Sequence, residues 1–116
     1  MKQKTLEIKK SKFVAYLFEL ESQVDIESNL KMLKKEHKKA THICYAYIYN
    51  KECNLVKAND DGEPSGTAGR PILNVLEKKN LKNVMVCVVR YFGGIKLGAG
   101  GLVRAYTKSA SELFME

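Results

Sequence analysis

Two segments hold most of the residues that could do chemistry. Asp60-Asp61-Gly62-Glu63-Pro64-Ser65-Gly66-Thr67-Ala68-Gly69-Arg70-Pro71 is the first, and Arg90 to Tyr106, containing Phe92-Gly93-Gly94-Ile95-Lys96-Leu97-Gly98-Ala99-Gly100-Gly101, is the second. Together they contain every glycine, every arginine and both prolines of the chain. Glycine outside a repeat marks backbone at positive φ or a close approach to the main chain. Arginine interleaved with it points to an anionic visitor.

The second segment carries the more specific reading. Gly98-Ala99-Gly100-Gly101 is expected to present free amides at a helix N-terminus, where the macrodipole favours negative charge. Arg104 falls in the first helical turn, where a helix selected for stability alone would carry an acid. With Lys108 four residues on, it makes a basic stripe beside the amides, and Lys96 reaches them from the loop. Arg70, Arg90, Lys96, Gly98, Gly100, Gly101, Arg104 and Lys108 are therefore the candidate phosphate- or nucleic-acid-binding residues. Known phosphate loops do not match. From Gly93 the GxxxxGK[ST] pattern meets Ala99 where lysine is required, and GxGxxG from Gly98 meets Val103. A tight turn before a closely packed helix start is the competing structural explanation.

In the first segment, Asp60, Asp61 and Glu63 crowd within four positions beside Ser65, Thr67 and Arg70. Two functional readings are open: an oxygen-ligand metal site, or acids that buttress Arg70 and Arg90. A solvated turn that caps the next helix is the bland alternative. No motif assigns catalysis, because His42 is the only base available and no nucleophile stands at a telling spacing from it. No cofactor and no metal are expected; Asp60, Asp61 and Glu63 are the only candidates for one.

The elements that position these loops follow from periodicity. Lys12 to Leu20 reads as a strand. Ser22 and Asp25 have the spacing of a capped helix start, and Ile26, Leu30, Leu33, His37 and Ala40 then make an amphipathic stripe with the lysines outward. Thr41 to Asn50 alternates, with Ile43, Tyr45, Tyr47 and Tyr49 on one face and His42, Cys44, Ala46 and Ile48 on the other. A short strand at Leu55 to Ala58 pairs with it. A helix starts between Thr67 and Pro71 and stops near Asn80. Asn83 to Tyr91 is a central strand covered on both faces, or on one with a partner. The last helix runs from about Gly101 to Met115, with Leu102, Tyr106, Ala110 and Leu113 inward. The order β-α-β-β-α-β-α gives an α/β (α+β) two-layer sandwich with helices over one sheet face.

Composition limits the function classes. The chain has 116 residues, 45% of them hydrophobic and 28% charged, in keeping with one globular domain. Its apolar runs are too short to span a bilayer, and Met1 to Glu7 has no apolar signal core, so the expected location is cytoplasmic, away from membranes. Cys44, Cys53 and Cys87 lack metal or disulfide spacing. A net charge of +7 draws phosphate-bearing partners, although much of it lies in Lys31, Lys34, Lys35, Lys38 and Lys39 on one helix.

At these residues the chain resembles the IMPACT family of the bacterial YigZ/YvyE type. Asp60 to Leu73 and Val89 to Tyr106 carry its two long signatures; Lys10-Ser11-Lys12-Phe13, Ala40-Thr41-His42 and Ala46-Tyr47 support them. The resemblance implies the fold of the second domain of small-subunit ribosomal protein five, shared with domain IV of elongation factor G and with GHMP kinases. Bacterial members usually continue into a ferredoxin-like domain and eukaryotic IMPACT carries an amino-terminal RWD domain; residues 1–116 depart from both, and the expectation is a single domain of the amino-terminal type with no carboxy-terminal ferredoxin-like domain. The resemblance also implies translational control through contact with RNA or the ribosome; eukaryotic IMPACT acts in the starvation-activated kinase pathway. The expected function is thus an RNA- or ribosome-associated binding module that regulates translation. A metal-dependent nucleotide or phosphate-ester enzyme related to GHMP kinases, and a protein-interaction regulator, are the alternatives.

Overall fold

A computed structural model describes residues 1–115. The elements run β1 (Lys2–Ile8), β2 (Ser11–Glu19), α1 (Val24–Glu36), β3 (His42–Tyr49), β4 (Leu55–Asn59), α2 (Gly69–Lys78), β5 (Val84–Tyr91) and α3 (Gly98–Glu112). The strands form one sheet of order β1-β2-β5-β3-β4, and every neighbouring pair is antiparallel. β5 is central because its run Val-Met-Val-Cys-Val-Val is apolar on both faces, and it carries Arg90 at its end.

One face of the sheet packs against α2 and α3. Phe13, Ala15, Cys44, Ala46, Val86 and Val88 meet Ile72, Leu76, Leu102, Tyr106 and Leu113 there. The mixed α+β class and this helix-covered face are as the sequence implies. The sequence reading places helices over one sheet face only; here the opposite face is covered as well. Val14, Tyr16, Phe18, Ile43, Tyr49, Met85, Cys87 and Val89 form a second buried cluster with Ile26 and Leu33 of α1. α1 therefore covers the face away from the other two helices, with Lys31, Lys34 and Lys35 exposed.

β1 is an element that the sequence reading omits. It is an edge strand with only Leu6 and Ile8 half-buried, joined to β2 by the two-residue turn Lys9-Lys10, with Ile8 opposite Ser11. Both turn residues have positive φ, 46° and 67°, which suits the twist of a tight hairpin but gives no glycine or asparagine signal. The last helix also begins a turn earlier than expected, at Gly98 rather than Gly101, and ends at Glu112. α1 ends at Glu36, with His37 as its cap. His37 lies between two phenols, its Nε2 2.6 Å from the Tyr16 hydroxyl and its Nδ1 2.5 Å from that of Tyr91, so it serves packing at the α1 boundary.

Candidate functional site

Strand register brings three side chains, two of them polar, to one end of the α2/α3 face. Phe13 and His42 are the partners of Arg90 on either side of it, and all three sit in phase with the inward residues Val86 and Val88. Arg90 cannot reach water there: it is 5% exposed. Its Nη1 donates to both Glu63 carboxylate oxygens at 3.1 and 2.8 Å. Its Nε and Nη2 donate to Ser11 Oγ at 3.3 and 3.2 Å. The guanidinium also lies over the rings of Phe13 and Phe92, 5.6 and 5.4 Å from their centres. A buried guanidinium demands this degree of pairing.

Glu63 is the hub of the group. It is buried, accepts the Tyr106 hydroxyl at 2.6 Å, and lies 3.4 Å from His42 Nε2. His42 Nδ1 donates to the Asp61 carbonyl at 2.7 Å, which fixes the ring. Cys44 Sγ stands 3.1 Å from the Asp60 carbonyl and 3.4 Å from the Tyr106 hydroxyl. Burial pushes its thiol up to about 12 and raises the Tyr106 phenol as well. Neither supplies a nucleophile or base near neutrality.

The other two acids are occupied by main chain. Asp60 receives the amides of Gly66 at 2.9 Å, Ala68 at 3.1 Å and Gly69 at 2.8 Å. Burial by itself would raise its carboxyl, but the Gly66, Gly69 and Ala68 amides outweigh that and hold it below the ordinary 3.8. It thereby caps α2 from the preceding loop, since Ala68 at the N-cap offers no side-chain bond. Asp61 accepts the Ile43 amide at 2.6 Å. Thr67 donates to the Pro64 carbonyl at 2.5 Å, and Ser65 is exposed.

Several sequence expectations are corrected by this geometry. Asp60, Asp61 and Glu63 face different partners, and no group of three metal-ligating side chains occurs among the described residues; the metal reading of these acids loses its ligand set. Arg90 is not a solvent-facing phosphate ligand, because Glu63 and Ser11 hold it inside. The buttressing alternative holds for Arg90 and not for Arg70. Arg70 is exposed on α2 and pairs with Glu77 at 3.1 Å, so the loop acids do not hold it.

At the second segment, the amides expected at Gly98 to Gly101 lie inside the first turn of α3. That turn has no side-chain cap and no acidic residue. Gly98 has φ +73°, a conformation a side chain would strain. Gly93 serves packing instead: a Cβ there would lie 1.9 Å from the Lys10 carbonyl oxygen, so the β1–β2 hairpin is seated directly on this loop. The Arg104 guanidinium folds back over the start of its own helix, with Nη1 3.3 Å from the position a Cβ would take on Gly100. Lys96, Arg104 and Lys108 are exposed and form no ion pair among the described residues. Arg104 and Lys108 line one cleft with Lys9 of the hairpin. Lys96 lines a neighbouring cavity of about 430 Å³ together with Phe92, Leu97, Gly98 and the Glu63–Arg90 pair.

Sequence reasoning misses Ser11, Tyr106 and Phe92 as site residues. Strand phase could have located Ser11, and the inward stripe of α3 could have located Tyr106, because Arg90 shares a parity with Val86 and Val88 that aims it at the helices.

Comparison with known proteins places this geometry in a family. The model of the Impact N-terminal domain matches residues 9–114. The IMPACT family member YvyE of Bacillus subtilis is 52% identical over 105 residues, 90% of this chain and 48% of that protein. YigZ of Escherichia coli is 39% identical over 102 residues, covering 86% and 50%, so the chain spans about half the length of these curated relatives. Among solved structures, a hypothetical protein superposes with a TM-score of 0.92 at 34% identity, over 99% of this chain and 57% of that one. Yih1, described as a two-domain translational regulator, gives a TM-score of 0.61 at 25% identity, over 97% and 43%.

Proposed function

We propose that this chain, which belongs to the Impact N-terminal domain family, is a cytoplasmic binding module in translational control that engages phosphate groups of RNA or the ribosome. Its contact surface is the start of α3 with Lys96, Arg104, Lys108 and the adjoining Lys9. The observation that carries this reading is the uncapped, acid-free first turn of α3, on which Arg104 is folded. Helix amides and unpaired cations on one edge attract an anion by the dipole and by charge. The net charge of +7 adds a long-range, salt-sensitive pull. Contacts of this kind give affinity with little sequence specificity. The translational role extends to this chain what is said of the relative Yih1.

Fluorescence anisotropy with labelled single-stranded RNA, repeated across a salt series, tests the surface. Lys96→Ala combined with Arg104→Ala is expected to weaken binding and to flatten the log–log salt slope by about 0.7 per lost phosphate contact. Unchanged affinity and slope would remove the assignment. Partners of the intact chain that survive nuclease treatment would instead assign this surface to an acidic protein.

A further inference from the structure

The cavity beside Lys96 has a composition that phosphate binding alone does not explain. Its volume of about 430 Å³ lies within the span of roughly 300–1,000 Å³ usual for small-molecule sites. Pro64, Leu97, Leu102 and Phe92 give it apolar walls, and Lys96 with Gly98 stands among its lining residues. Phe92 is a large aromatic that stays 46% exposed, and the Arg90 guanidinium lies over its ring. Its amide donates to Thr41 Oγ1 at 3.0 Å. A phenyl ring whose backbone is tied to Thr41 and which lies against Arg90, yet stays exposed, is a platform for stacking.

The charges are segregated in a way that describes the guest. At the buried side, Glu63 and Arg90 neutralise one another at 2.8 Å, so a second ion placed there would meet no net charge. Unpaired positive charge belongs to exposed Lys96 and to the first turn of α3. A fitting guest has an uncharged aromatic body with a polar edge and carries its negative charge at the exposed side of the cavity, toward Lys96 and the start of α3. A fatty or aliphatic carboxylate would supply the charge without the ring.

We propose that this cavity receives one nucleotide unit, its unpaired base against Phe92 and its phosphate at Lys96 and the α3 amides. This rests on the phosphate-binding reading above and adds the base to it. A base inside an A-form duplex would have to give up its pairing and stacking to enter, so the site favours single strands.

The test measures binding of the whole chain to a labelled short oligoadenylate, to a duplex of the same strand, and to free adenosine monophosphate. The proteins compared are the parent, Phe92→Ala, Phe92→Leu and Lys96→Ala, each checked for folding by circular dichroism. Phe92→Ala is expected to weaken the single strand roughly fivefold or more, with the salt slope unchanged, and to leave duplex affinity unaltered. Phe92→Leu keeps bulk without a π-face and should lose most of the same affinity, which separates stacking from packing. Saturable binding of the mononucleotide that Phe92→Ala removes would make a free nucleotide sufficient; no mononucleotide binding with a retained Phe92 effect would assign the unit to a strand. If Phe92→Ala leaves single-strand affinity intact while Lys96→Ala lowers it, the base site is overturned and the phosphate surface stands. If the parent binds none of the three ligands, both fall.

Discussion

The two glycine segments look alike in sequence and are used in opposite ways. In the Asp60–Pro71 loop the acids are taken up by the protein's own groups: Asp60 takes three amides, Asp61 takes a strand amide, and Glu63 holds Arg90, Ser11's partner, beneath α3. At the start of α3 the charges turn outward, and Lys96, Arg104 and Lys108 are left exposed without ion pairs among the described residues. A cluster of acids in a basic chain thus marks a structural lock, whereas basic residues around an uncapped helix start mark the face with unused capacity. If this contrast holds, changes in the first loop alter stability and changes at the second surface alter binding.

The largest expected effect is at Glu63. Glu63→Ala leaves the Arg90 guanidinium buried without its counter-ion and removes the acceptor of Tyr106. A broken buried pair costs about 3–5 kcal/mol, read as a fall in the urea midpoint. A loss below about 1 kcal/mol, in the range of an exposed pair, would mean that Arg90 reaches water after all, and would merge the two regions into one surface.

Asp60 comes next. Asp60→Ala removes the acceptor for Gly66, Ala68 and Gly69 and is expected to cost about 1–2 kcal/mol, as for a lost helix cap. The same carboxyl predicts a pH dependence. Its folded value is below the ordinary 3.8, so its contribution is present above that pH and is lost as pH falls through the folded value. Asp60→Asn should therefore show a flatter decline in stability below about pH 3.8 than the parent in acid denaturation. An identical decline would show that the amides do not hold the charged form.

Much of this was legible in the residues, and the failures have physical causes. The run Val84 to Val89 announces a central strand, covered on both faces or on one with a partner, and the alternation from Ile43 to Tyr49 announces a second strand. What covers the second face was not legible: α1 has only Ile26 and Leu33 fully buried, a stripe too thin to say which side of a sheet it joins. β1 leaves no such signal, because an edge strand with polar residues outward has little periodicity, and its turn is made by two lysines. The site was half legible. Charge type and glycine located both loops, but which charges turn inward depends on register, and register is set by pairs such as Phe13 with Arg90 and Arg90 with His42 that lie far apart along the chain.

Arg70 gives the smallest expected effect and the finest discrimination. By residue type it belongs with Arg90 and Arg104, yet the three fall into three classes: Arg90 buried in a lock, Arg104 over its own helix start, and Arg70 exposed along α2 beside Glu77. An exposed pair contributes about 0.2–1 kcal/mol, so Arg70→Ala should barely move the unfolding midpoint. It should also leave the salt slope of RNA binding where it is, because Arg70 lines neither the cavity of Lys96 nor the cleft of Arg104. A reduced slope would extend the binding face across α2, and the Asp60–Pro71 loop would then belong to both halves of the contrast. An unchanged slope confines that face to α3 and the hairpin.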